Sequence, residues 1–99
     1  MKFARVIGNV VSTQKDEGIE GRKLLLIQPV DINLKASGTP LVAVDAVQAG
    51  EGELVLFASG SSARQTYLTR DKPCDCVIMG IVDLIEKEGK IIYDKSKEK

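Results

Sequence analysis

The apolar residues of this chain come in short runs, "VIGNVV", "LLLI", "LVAV", "LVLFA" and "CVIMGIV", each bounded by proline, charged or polar residues. Runs of this length between turn residues read as β-strands, and none carries a helical stripe. Alternation is clearest over "FARVIGNVVST" (Phe3 to Thr13). There Phe3, Arg5, Ile7 and Asn9 fall on one face, and Ala4, Val6, Gly8 and Val10 on the other. Gly8 inside that strand predicts a bend or a close backbone approach. A second strand, "KLLLIQPV" (Lys23 to Val30), has four consecutive apolar residues and so predicts burial on both faces. Pro29 has no N–H to give and belongs at an edge or a strand end.

Further along, "LVAVDAV" (Leu41 to Val47) and "ELVLFAS" (Glu53 to Ser59) read as the third and fourth strands. "CVIMGIVDLIE" (Cys76 to Glu86) reads as a long fifth, with Gly80 inside it. "KEGK" (Lys87 to Lys90) is a hairpin turn in which Gly89 supplies a positive φ, and "IIY" (Ile91 to Tyr93) returns as a short last strand. Only "SARQTYL" (Ser62 to Leu68) looks helical, capped by Ser61 or Ser62, and it falls between strands four and five. The links from Thr13 to Arg22 and from Asp31 to Pro40 carry turn residues and charge. The expected fold is mainly β: a small, partly open, OB-like barrel of five or six strands with one short helix. Residues 1–94 form one domain on this reading, and residues 95–99 a frayed polar tail.

Composition narrows function by exclusion. With 43% hydrophobic and 28% charged residues the chain is globular, and at 99 residues its core is small enough for oligomerisation to add useful burial. There is no histidine, so a Ser-His or Cys-His catalytic pair is excluded within one chain, and "GSSAR" lacks the glycine pattern of a nucleophile elbow. No catalytic residue and no cofactor are assigned. Cys74 and Cys76 amount to half a zinc site and read as two small apolar residues, reduced in a cytosolic protein; a site shared across a symmetry axis is the alternative. No apolar run is long enough to span a membrane, and "MKFARVIGNVV" is too short and too polar for a signal peptide.

Lys plus Arg equals Asp plus Glu at 14 each, which removes the net-charge argument for nucleic-acid binding. The aromatics Phe3, Phe57, Tyr67 and Tyr93 are scattered rather than arrayed as stacking platforms. An OB-type module for nucleic acid, or an anion or metabolite site at "SGSSAR", where a helix start, two hydroxyls and an arginine meet, stays open as an alternative.

Four phrases in order, "ARVIGNVVSTQK", "GRKLLLIQPVD", "LVAVDAVQAGEGELVLFASGSSAR" and "DCVIMGIVD", resemble the pentameric vertex proteins of bacterial microcompartments, the family of the ethanolamine-utilisation and carboxysome vertex proteins. The resemblance covers nearly the whole chain. It implies an OB-like barrel with a structural, non-enzymatic role, assembled as a cyclic homopentamer that caps the vertices of a polyhedral shell in the cytoplasm. Hexameric and trimeric shell proteins would be its partners, and neither nucleic acid nor membrane is implied. Gly60, Ser61, Ser62, Ala63 and Arg64 match the family's GSSAR and are expected near the five-fold axis and the subunit contacts, with Asp45 or Glu53 of a neighbour as candidate partners for Arg64. The competing reading of Arg64 is an ion pair within its own chain. Ala49, Gly50, Gly52 and Glu53 match the family's turn GAG-x-GE; Gln48 stands where its first glycine is usual. "CDC" replaces a more usual proline- and valine-containing approach to the last long strand.

Overall fold

A computed structural model describes residues 1–12, 21–60 and 76–98. In chain order these form β1 (Lys2–Val10), β2 (Leu24–Val30), β3 (Leu41–Asp45), β4 (Leu54–Ser59), β5 (Cys76–Ile81), β6 (Leu84–Lys87) and β7 (Lys90–Asp94), followed by a 3-10 turn over Lys95–Lys97. The mainly β class expected from the sequence is what forms. The helix expected over Ser62 to Leu68 lies outside the described residues.

Five strands pair in the order β1-β2-β3-β5-β4, and β4 pairs back onto β1. All pairings are antiparallel except β3·β5, which is parallel and the shortest, with Val44 opposite Val77 and Asp45 opposite Ile78. Ala4, Val6, Leu25, Ile27, Ala43, Val55, Phe57 and Ile78 fill the interior. Each is at most 2% exposed. Burying a side chain such as Ile27 or Val55 stabilises the fold by roughly 1.5–3 kcal/mol before the entropic costs.

Both strand-interior glycines sit beside a register shift. On β1 the shift falls between Val6 and Gly8, and on β4·β5 it falls where Leu56 pairs with Gly80 but Phe57 pairs with Ile78. Bulges of this kind bend strands and increase local twist, which a small barrel needs. The bend expected at Gly8 is present, but no close approach is: a Cβ there would meet Leu26 Cβ at 3.9 Å, an ordinary contact.

The bulge also corrects the alternation read along β1. Ala4 and Val6 face inward as expected, opposite Pro29 and Ile27. Gly8 and Val10 pair with Leu26 and Leu24, the outward residues of β2, so they share the outer face with Phe3 and Arg5. One inserted residue moves every later side chain to the other face.

The long fifth strand is two strands. β5 stops at Ile81, Val82 N–H donates to the Leu54 carbonyl at 2.9 Å, and the chain leaves the barrel through Asp83 to start β6. β6 and β7 form a separate two-stranded sheet, so the barrel has five strands. Their turn has φ of 53° at Glu88 and 79° at Gly89, the twist that a two-residue hairpin favours. The hairpin covers the outer face of β1 and β4: Leu54, Val82 and Tyr93 form a second buried cluster with Phe3, Val30, Leu34, Leu56 and Ile85 around it. This explains why β4 is buried on both faces.

Candidate functional site

The turn between β3 and β4 is built by two carboxylates. Asp45 closes its first half, with Oδ1 accepting from Val47 N–H at 3.0 Å and Oδ2 from Ala49 N–H at 2.9 Å. Glu53 closes the second half, with Oε1 accepting from Gly50 N–H. A Cβ on Gly50 would lie 3.3 Å from Glu53 Oε1, a tight contact that would make the carboxylate give by a few tenths of an ångström. Gly52 is needed for its φ of 89°. Gln48 holds a φ of 60°, the left-handed conformation that a glycine adopts without strain. Its departure from the resembling family's glycine therefore leaves the turn formed, at a conformational cost.

This turn is fastened to β1. Gly52 N–H donates to the Val6 carbonyl at 2.8 Å, and Val6 N–H donates to the Glu53 carbonyl at 3.0 Å. Arg5 Nη1 donates to the Gly52 carbonyl at 3.1 Å. Ala49 is fully buried in the barrel core, and its carbonyl accepts from Lys23 Nζ at 3.3 Å.

The C-terminal segment closes over the same turn. Lys95 Nζ pairs with Glu53 Oε2, and Arg5 Nη2 pairs with Glu98 Oε1 at 2.8 Å. The Lys95 hydrogen bond, with that from Gly50, holds the Glu53 carboxyl below its ordinary range, and the same pairing raises the Lys95 ammonium. Hydrogen bonds from the Ser96 hydroxyl and backbone N–H likewise lower Asp94. The polar tail expected to fray is thus held down through Glu98. Charged residues without an apolar pattern look like solvent-loving tail, and only the fold brings Arg5 and Glu53 beneath them.

Asp45, Ala49, Gly50, Gly52 and Glu53 come together in the turn between β3 and β4. Gly60 does not join them: it follows β4 while Glu53 precedes it, so the two lie roughly 20 Å apart along the strand. Gly60 has a φ of 65°. Ser61, Ser62, Ala63 and Arg64 lie outside the described residues, as does Cys74. Both carboxylates named as partners for Arg64 are already bonded within their own chain, Asp45 by two backbone N–H groups and Glu53 by Gly50 and Lys95. Arg5, Tyr93, Lys95 and Glu98 were not singled out by sequence; the charge and alternation of β1 mark Arg5 only as outward-facing.

Among the described residues the nucleic-acid alternative finds no aromatic platform, and Tyr67 lies outside them. Phe57 and Tyr93 are 2% and 5% exposed, and Phe3 is half-buried beneath the hairpin. Among the described residues no group of three or more His, Cys, Asp or Glu is placed to hold a metal ion. No described helix is long and apolar enough to cross a membrane.

The model of the family described as ethanolamine utilisation protein EutN/carboxysome matches residues 1–83, stopping just before β6. The chain is 40% identical over 95 residues to the bacterial microcompartment shell vertex protein EutN of Salmonella typhimurium, covering 96% of each. It is 40% identical over 102 residues to the carboxysome shell vertex protein CcmL of Gloeobacter violaceus, covering 99% of this chain and 98% of that one. The solved structure of Gloeobacter violaceus CcmL superposes with a TM-score of 0.91 at 39% identity, covering 98% of this chain and 100% of that one. The GrpN pentameric microcompartment shell protein from Rhodospirillum rubrum gives 0.79 at 42% identity, covering 88% and 99%. A barrel of this order, its β3–β4 turn and these identities along nearly the full length place the chain in the EutN/CcmL family.

Proposed function

We propose that this protein is a structural, non-enzymatic shell component that forms a cyclic homopentamer and caps the vertices of a polyhedral bacterial microcompartment in the cytoplasm. The observation that carries the reading is the naming of its near full-length relatives as shell vertex proteins, together with the likeness to the pentameric GrpN structure. A heterologous contact whose rotation closes after five copies makes a ring, and a five-fold ring supplies curvature that a flat hexagonal layer lacks. Residues 1–94 act as one unit of that ring. Hexameric and trimeric shell proteins form the facets around it.

Within the ring, Gly60, Ser61, Ser62, Ala63 and Arg64 line the axis and the subunit contacts. The turn carrying Gly50, Gly52 and Glu53 lies at a second contact, presented by Asp45 and by the buried Ala49. Support for a separate role of the two regions is their position at opposite ends of β4. Co-assembly with a hexameric shell protein tests the vertex role. Closed polyhedra should appear by electron microscopy only when this chain is present; sheets or open tubes in both cases would contradict it.

A further inference from the structure

The segment Lys95–Glu98 lies beyond the span matched by the family model, yet it grips both side chains that hold the 50–53 turn. At one end Lys95 pairs with Glu53, whose other oxygen accepts from Gly50 N–H. At the other end Glu98 pairs with Arg5, whose guanidinium also donates to the Gly52 carbonyl and lies over the Tyr93 ring. Two further bonds set the segment's path: Lys95 N–H donates to the Asp83 carbonyl at 2.9 Å, and Ser96 N–H to Asp94 Oδ1 at 3.0 Å. The four side chains of the two ion pairs keep between 23% and 46% of their surface exposed. Such pairs are individually weak and screened by salt.

The geometry points to a two-point ionic strap: residues 95–98 brace the Gly50–Glu53 turn against β1 alongside its two backbone hydrogen bonds to Val6, and rising ionic strength loosens that turn while leaving the barrel folded. No residue of the strap belongs to the barrel core, whose buried residues come from β1–β5 and Ala49. The strap therefore gives a local conformational control at a turn that the ring reading assigns to a contact. This consequence for assembly rests on the pentamer reading; the bracing of the turn does not.

The test uses the full chain with Lys95→Gln, Glu98→Gln and both together, followed by amide hydrogen exchange. Gly50 N–H should exchange several-fold faster in each single variant and roughly tenfold faster in the double variant, as expected for two partly exposed pairs. Amides of Leu25 and Ala43, which pair within the β2·β3 ladder and touch no residue of the strap, serve as the internal reference and should not change. Raising the salt should speed Gly50 in the unsubstituted chain and have little effect on the double variant. Unchanged exchange at Gly50, or equal acceleration at Leu25 and Ala43, overturns the strap. Measured alongside, the mass of each variant reads the consequence for assembly. If the unsubstituted chain is monomeric the ring reading fails, and the exchange result still decides the strap.

Discussion

The Arg5 guanidinium carbon lies 5.4 Å from the centroid of the Tyr93 ring, joining the first strand of the barrel to the last strand of the chain. The same guanidinium bonds the Gly52 carbonyl and Glu98, so one outward side chain of β1 ties together the hairpin, the β3–β4 turn and the C-terminal segment. Replacing Arg5 with Ala should cost about 1–2 kcal/mol, the combined worth of a partly exposed cation–π contact and ion pair. Arg5→Lys should recover only part of it, because an ammonium is a point charge without the planar fork. Urea unfolding of the three proteins checks the order; equal stability of Arg5→Ala and the unsubstituted chain would contradict it.

Gln48 and Gly52 both hold left-handed backbone, with φ of 60° and 89°. Gln48→Gly should stabilise the protein by about 0.5–1 kcal/mol, because a side chain is disfavoured in that conformation. Gly52→Ala should destabilise by about 1 kcal/mol for the same reason, although a Cβ there meets nothing within 4 Å. Thermal unfolding should therefore move in opposite directions for the two variants.

Glu53 titrates lower in the folded protein than in the unfolded chain, chiefly through its hydrogen bond with Lys95 and then that with Gly50. The unfolded carboxyl then binds protons at pH values where the folded one does not. The stabilisation is fully present above the ordinary value of 4.5 and is lost as pH falls through the lower folded value. Glu53→Gln should flatten the stability profile in that acid window. An unaltered profile would show that the carboxylate is not held as described.

Leu54 is fully buried yet points away from the barrel interior, into the cluster with Val82 and Tyr93. Leu54→Ala should cost about 2–5 kcal/mol, as for other large-to-small changes in a core. Its hydrogen-exchange signature should be concentrated in β6 and β7, whereas Val55→Ala should loosen the barrel strands. Identical patterns would deny the hairpin a separate core.

Strand positions were legible because apolar spacing and turn residues report local backbone preference, and Gly89 marks its hairpin turn directly. The face of Gly8 and Val10 was not, because a bulge is decided by pairing with β2 rather than by the sequence of β1 alone. Gly50, Gly52 and Glu53 were legible as a turn through their match to the family's glycine-rich pattern, whereas Asp45 read as part of the third strand and only its bonds to Val47 and Ala49 show that it closes the turn. The fastening of the turn by Arg5, Lys95 and Glu98 was not legible: partners 42 residues apart, such as Glu53 and Lys95, leave no local pattern. The end of β5 at Ile81 was hidden for a similar reason, since Val82 continues the apolar run while turning into the cluster under the hairpin.

The central claim is that copies of this barrel close into a five-membered ring. Native mass spectrometry across micromolar concentrations tests it directly. The account predicts a dominant species at five times the 10.7 kDa of one chain. A monomer throughout that range, or a ring of a different number of copies, would contradict it.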